Sequence, residues 1–67
     1  MNVKKLKEKM YRAGYSQRKL AVDMGMSKNT VNAICTGKRP PNVEEVRKMC
    51  ALLNVNDKEE KVEIFLS

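Results

Sequence analysis

A chain of 67 residues, 42% hydrophobic and 33% charged, with one Phe and no Trp, is expected to form one small domain over residues 1–67 with an aliphatic, Met-rich core. Its net charge of +6 is uneven: residues 1–39 carry ten Lys and Arg against Glu8 and Asp23, a balance of +8, and residues 40–67 carry −2. That suits a molecule with one face toward a polyanion, while no run nears the roughly 20 apolar residues of a membrane span and the charged start MNVKKLKEKM lacks the apolar stretch of a signal peptide.

In chain order, Val3, Leu6, Met10 and Ala13 recur at i, i+3, i+7 and i+10, the stripe of an amphipathic helix, and Gly14 stops it. Ser16 caps a second helix with Leu20, Ala21 and Met24 on one face, broken at Gly25. Ser27 caps a third, with Val31 and Ile34 inward and Gly37 as its stop. Pro40 and Pro41 impose an extended connection. Asn42 with Glu45 reads as a capping box opening a fourth helix, whose stripe is Val46, Met49, Cys50 and Leu53 and whose left-handed stop is Asn54. Asn56 with Glu59 opens a fifth, acidic in its first turn, with Val62, Phe65 and Leu66 as its buried stripe and Ile64 on another face. Five helices and no strand make the expected fold class all-α.

Cys35 and Cys50 form no CxxC, and no His completes a metal site, so no metal is expected. Both are read as small apolar packing residues, with a disulfide as the alternative in an oxidising compartment.

The second and third helices carry the functional signal. In QRKLAVDMGMSKNTVNAICTGK, residues 17–38, two short helices flank a tight turn at Gly25 and must cross at roughly 90–120°. Ala21 falls where the helices come closest, and Gly25 takes positive φ without a Cβ clash. Leu20, Met24, Met26, Val31 and Ile34 close the corner as one apolar wedge, which places a helix-turn-helix at residues 16–37.

The run 16–38, with the helix before it and the helix from Asn42, resembles the Cro/repressor-type (lambda-repressor-like, Xre) helix-turn-helix proteins of phages and bacteria. The resemblance covers the whole chain. It implies a compact five-helix domain and a cytoplasmic transcriptional regulator, a phage or prophage Cro-like repressor. It also implies a homodimer, formed before or only upon DNA binding, on a near-palindromic operator of double-stranded DNA. The third helix would lie in the major groove, with no cofactor or small-molecule ligand. Some relatives link the first helix to the end of the third by a buried charged pair; the matching positions here are Met10 and Cys35, where an apolar contact is expected instead. The chain ends at Ser67, so a sensing domain such as larger repressors carry is not expected.

With Val31 and Ile34 inward, Lys28, Asn29, Asn32, Ala33 and Thr36 point outward on the third helix. Lys can donate to guanine O6 and N7, Asn can pair with adenine N6 and N7, and an Ala methyl can pack on a thymine methyl. Lys28, Asn29, Asn32 and Ala33 are therefore the base-reading candidates, Asn29 first because it lies nearest the centre of that face; on any other surface helix the same residues would simply be solvated. Phosphate contacts form a second class. Gln17 opens the second helix, where free N–H groups favour an anion and where the family places a Gln against the backbone. Lys38 and Arg39 extend the positive surface past the third helix and Thr36 is a further phosphate candidate, Arg18 and Lys19 face either DNA or solvent, and Lys4, Lys5, Lys7 and Lys9 read as a solvated face pulling DNA at long range.

An enzyme is not expected, since the chain has no His and no nucleophile–base pair. RNA binding lacks its stacking aromatics, with only Tyr11, Tyr15 and Phe65 present. The alternative reading is an antitoxin-like or otherwise protein-partnered regulator that uses DNA binding for its own control. The dimer edge should lie away from the basic face, with Ile64 and Ser67 as candidates; alternatively the EIFL segment only closes the monomer core.

Overall fold

The structure is a computed structural model that describes residues 1–66. Ser67, expected at a dimer edge, lies outside the described residues. Among them are α1 (Val3–Arg12), α2 (Gln17–Met24), α3 (Lys28–Cys35), α4 (Val43–Leu52) and α5 (Lys58–Lys61), and no strand. The fifth helix runs on into a wider π-helical turn, Val62–Leu66, and the two together are called the terminal helix below.

Short polar side chains start each helix by accepting an otherwise orphaned N–H. Asn2 accepts from Lys5 at 3.1 Å, Ser16 from Lys19 at 3.1 Å and Ser27 from Thr30 at 3.2 Å. Asn42 and Glu45 form the full capping box, with reciprocal bonds of 2.8 and 2.9 Å. The fifth helix departs from expectation: its cap is Asp57, which accepts from the Glu59 N–H at 3.0 Å, and not Asn56. An Asp one position later caps equally well and adds a negative charge at the helix's positive end.

The first four helices end on left-handed residues, as expected: Gly14, Gly25, Gly37 and Asn54. At Gly25, φ +70, the Gly25 N–H donates to the Val22 carbonyl at 3.2 Å and the Met26 N–H to that of Ala21 at 2.9 Å. These two bonds close α2 and turn the chain straight into α3. Asn54 ends α4 at φ 58, and the residue after it, Val55, drops into the core at 1% exposure. An apolar residue just past a left-handed stop commonly packs back on its own helix. That signal marks Val55 in the sequence, although the helical stripe misses it.

All the helices except the short α5 segment contribute to one core. Leu6, Leu20, Val31, Ile34, Cys35, Met49, Val55 and Ile64 are each exposed by 1% or less. Ala13, Met26 and Val46 are half-buried against them. Cys35 and Cys50 are buried free thiols, and burial pushes both above the usual thiol range.

The terminal helix corrects the expected stripe. Ile64, placed outward by the sequence pattern, is buried at 1%, and its carbonyl accepts the Asn2 N–H at 2.7 Å. Val62 and Leu66, expected inside, are 45% and 77% exposed. The stripe assumes 3.6 residues per turn, but Val62–Leu66 is a wider π-helical turn, so the apolar positions fall out of that register and Ile64 comes inward. Glu60 meets Lys9 at 3.0 Å and Glu63 meets Lys5 on the same side, toward α1. Ile64 is thus core, and a second chain cannot reach it.

Candidate nucleic-acid interface

Packing of α3 against the core settles which side it shows to solvent. Val31, Ile34 and Cys35 are buried, whereas Lys28, Asn29, Asn32 and Thr36 are exposed and Ala33 is half-buried beside them. Thr30 turns back to the helix start, where its hydroxyl and that of Ser27 lie 2.8 Å apart. The outward face therefore consists of one cation, two carboxamides, a methyl group and the Thr36 hydroxyl, none of which pairs with another side chain among the described residues.

The α2 corner supports that face. α2 packs on α3, and its buried residues are Leu20, Ala21, 3% exposed, and Met24. Half-buried Gln17 is the first residue of α2 and Arg18 beside it is exposed. Ser16 satisfies the Lys19 N–H and Leu20 donates to the Ser16 carbonyl at 3.0 Å, so the N–H groups of Gln17 and Arg18 precede the first internal bonds and face outward at the positive end of α2.

Two expected phosphate contacts are engaged elsewhere. Arg39 makes a two-pronged pair with Glu45, at 3.0 Å for both bonds, across the Pro40 and Pro41 connection. The same Glu45 carboxylate closes the α4 capping box. Arg39 and the Asn42 N–H together hold it below the usual carboxylate range. The guanidinium thus fastens α3 to α4, and its charge is largely answered within the molecule. Thr36 donates its hydroxyl to the Asn32 carbonyl at 2.8 Å, which leaves it no proton for a phosphate oxygen.

The lysine-rich first helix is also less free than its composition implies. Lys5 and Lys9 pair with Glu63 and Glu60, and Arg12 lies 3.4 Å from Glu8. Lys19 stacks its ammonium 5.2 Å over the Tyr15 ring. Tyr15 in turn donates to Asp23 at 2.6 Å, so one of the two acids in the basic half turns toward the α1–α2 corner. Hydrogen bonding to Asp23 raises the phenol above its ordinary range. Lys4, Lys7, Arg18, Lys28 and Lys38 remain without an acidic partner among the described residues. Three of these five flank the α2 start and the two ends of α3.

A family model described as helix-turn-helix matches residues 4–59. The chain belongs to the helix-turn-helix family. No curated protein and no solved structure matches it. Membership makes the chain a double-stranded-DNA-binding protein of the class that regulates transcription. No helix among the described residues is long and apolar enough to cross a membrane.

Within this helix-turn-helix, Met10 and Cys35 meet as expected, their sulfurs 3.6 Å apart in the core. A soft sulfur contact costs no desolvation, which a buried ion pair at this place would. The pairs Lys5–Glu63, Lys9–Glu60, Tyr15–Asp23 and Arg39–Glu45 were not foreseen from sequence. Each joins different elements, so no local spacing announces it.

Proposed function

We propose that this helix-turn-helix protein is a sequence-specific transcriptional repressor of the Cro kind, of phage or prophage origin and acting in the bacterial cytoplasm. It binds a near-palindromic operator as a homodimer. The domain spans residues 1–67, with the DNA-reading motif at 16–37. The reading is carried by one observation: α3 buries Val31, Ile34 and Cys35 while holding Lys28, Asn29 and Asn32 free and exposed on its other side. A helix of that profile fits the major groove, where an Asn carboxamide pairs with adenine and a Lys with guanine. Ala33 lies at the edge of the same face, suited to a thymine methyl. Gln17 and Arg18 at the α2 start and Lys38 after α3 grip the flanking phosphates and fix the register. The resemblance of residues 16–38 to Cro-type repressors supports the finer assignment.

Selection of a binding site from random DNA supplies the operator for the test. Asn29→Ala should then lose roughly 1–3 kcal/mol at that site and relax preference at one base pair, with little change on random DNA. Equal losses on both sequences would reduce Asn29 to a non-specific contact and overturn the base-reading role of α3.

A further inference from the structure

Away from α3, the molecule carries a groove of about 480 Å³ between α4, the terminal helix and the Pro40–Pro41 connection. Its apolar lining is open to solvent: Val43 is 71% exposed, Val62 45% and Leu66 77%, with half-buried Val46 between them. These are large side chains gathered on one side of a small protein, not scattered singly, and such a patch with a polar rim marks a contact surface. The rim is cationic. Arg47, Lys58 and Lys61 line it, and among the described residues the lining holds no acid and none of the three pairs with one. Glu60 and Glu63 pair with α1 and Glu45 with Arg39, while Glu44, Asp57 and Glu59 are exposed and lie outside the lining.

From this arrangement we propose that the groove docks an acidic amphipathic helix of another protein. Apolar side chains at i, i+3, i+4 and i+7 of such a helix would lie on Val43, Val62 and Leu66, and its flanking carboxylates would meet Arg47, Lys58 and Lys61. A phosphate backbone gains nothing from the apolar floor. A second copy of this chain would gather two sets of these cations around one seam with no acid among the described residues of either lining, which like-charge repulsion opposes. The assignment stands independently of the DNA reading, because no residue of the groove belongs to the α2 start or to α3.

The test uses the full chain and a fluorescent amphipathic peptide with Leu at i, i+3, i+4 and i+7 and Glu on both flanks. A twin peptide carries Lys in place of every Glu. At low salt the Glu peptide should bind at least about tenfold more tightly than its twin, and the preference should shrink as salt shortens the screening length. Amide shifts on binding should centre on Val43, Val62 and Leu66. The double substitution Lys58→Glu with Lys61→Glu should reverse the order of the two peptides, and Leu66→Asp should abolish binding of both. Circular dichroism melts should hold for both variants, since all three positions are exposed, and operator affinity should hold for Leu66→Asp; the double reversal lowers the net charge from +6 to +2 and should weaken operator and random DNA alike. If Leu66→Asp fails to fold, the charge-reversal variant decides alone. Equal affinity for the two peptides, no binding of either, or shifts centred on α3 would overturn the proposal. So would concentration-dependent self-association that Leu66→Asp removes, which would make a second copy the occupant.

Discussion

Glu45 joins two tasks that usually belong to separate residues. It closes the α4 capping box with Asn42 and holds the Arg39 guanidinium by two bonds of 3.0 Å. Both sets of bonds favour the ionised carboxyl, so its folded pKa lies below the ordinary value of 4.5, first through Arg39 and then through the Asn42 N–H. A carboxyl depressed in the folded state adds stability that is fully present above its unfolded pKa and is lost as pH falls through the folded one. The melting temperature of the wild type should therefore fall more steeply than that of Glu45→Gln as pH drops from about 5 to about 3. Parallel curves for the two proteins would mean that Glu45 stays unlinked to folding. The capping box itself was legible in the sequence, because Asn42 and Glu45 sit at the fixed spacing such a box needs. The arginine was not. Pro40 and Pro41 turn the chain between Arg39 and α4, and the direction of that turn decides whether the guanidinium meets DNA or Glu45. Thr36 misled for a similar reason: its exposure follows from the helical wheel, but its hydroxyl's choice of the Asn32 carbonyl does not.

Among the elements, α1 to α4 could be read from local signals because each boundary is a short-range event: a capping Ser or Asn, then a left-handed Gly or Asn. The terminal helix could not. Asn56 and Asp57 compete for the cap, and an apolar stripe shows that a face is apolar without naming the neighbour that covers it. There the π-helical turn broke the 3.6-residue register that the stripe assumes, burying Ile64 and leaving Val62 and Leu66 in the open groove. The α2–α3 corner illustrates the legible case and invites a stability test. Ala21 is 3% exposed at the contact of the two helices, and its carbonyl also accepts the Met26 N–H that closes the turn. Ala21→Leu forces extra methyl groups into that contact and should cost on the order of 1–3 kcal/mol. In a domain of this size each kcal/mol lowers the melting temperature by roughly 4–8 °C. Val22→Leu, one residue on at a position 72% exposed, should leave the melt unchanged within error. Equal melts for the two variants would show that α2 and α3 do not meet at Ala21. Gly37 is a second sensitive point for the same reading. Its φ is +79, and an added Cβ would come within 3.2 Å of a Val3 methyl, so the end of α3 also fixes its distance from α1.

At the scale of the whole molecule, one eight-residue reading helix spans too few base pairs to find a single operator, and the proposed dimerisation on DNA would supply the missing specificity. The size of the protein suits that arrangement. Its extents are 28 × 23 × 21 Å, so two copies in side-by-side contact have centres separated by about their own width. Reading helices set a few Å outward of those centres reach the spacing of about 34 Å that successive major grooves on one side of B-DNA require. Burial of Ile64 removes the contact first expected between copies, and the cation-rimmed groove opposes a symmetric seam of its own. In the proposed dimer, the two chains would thus be held by the DNA they share more than by each other. Such a protein should sediment as a monomer in free solution and bind a palindromic full site as two chains, with a binding curve steeper than that of a half-site. Sedimentation of the free chain, and mass photometry of a tagged chain on full-site and half-site duplexes, would measure both. One chain per full site at saturation would end the dimer reading. A stable dimer without DNA would keep the operator geometry and require a protein contact that lies on neither Ile64 nor the reading face.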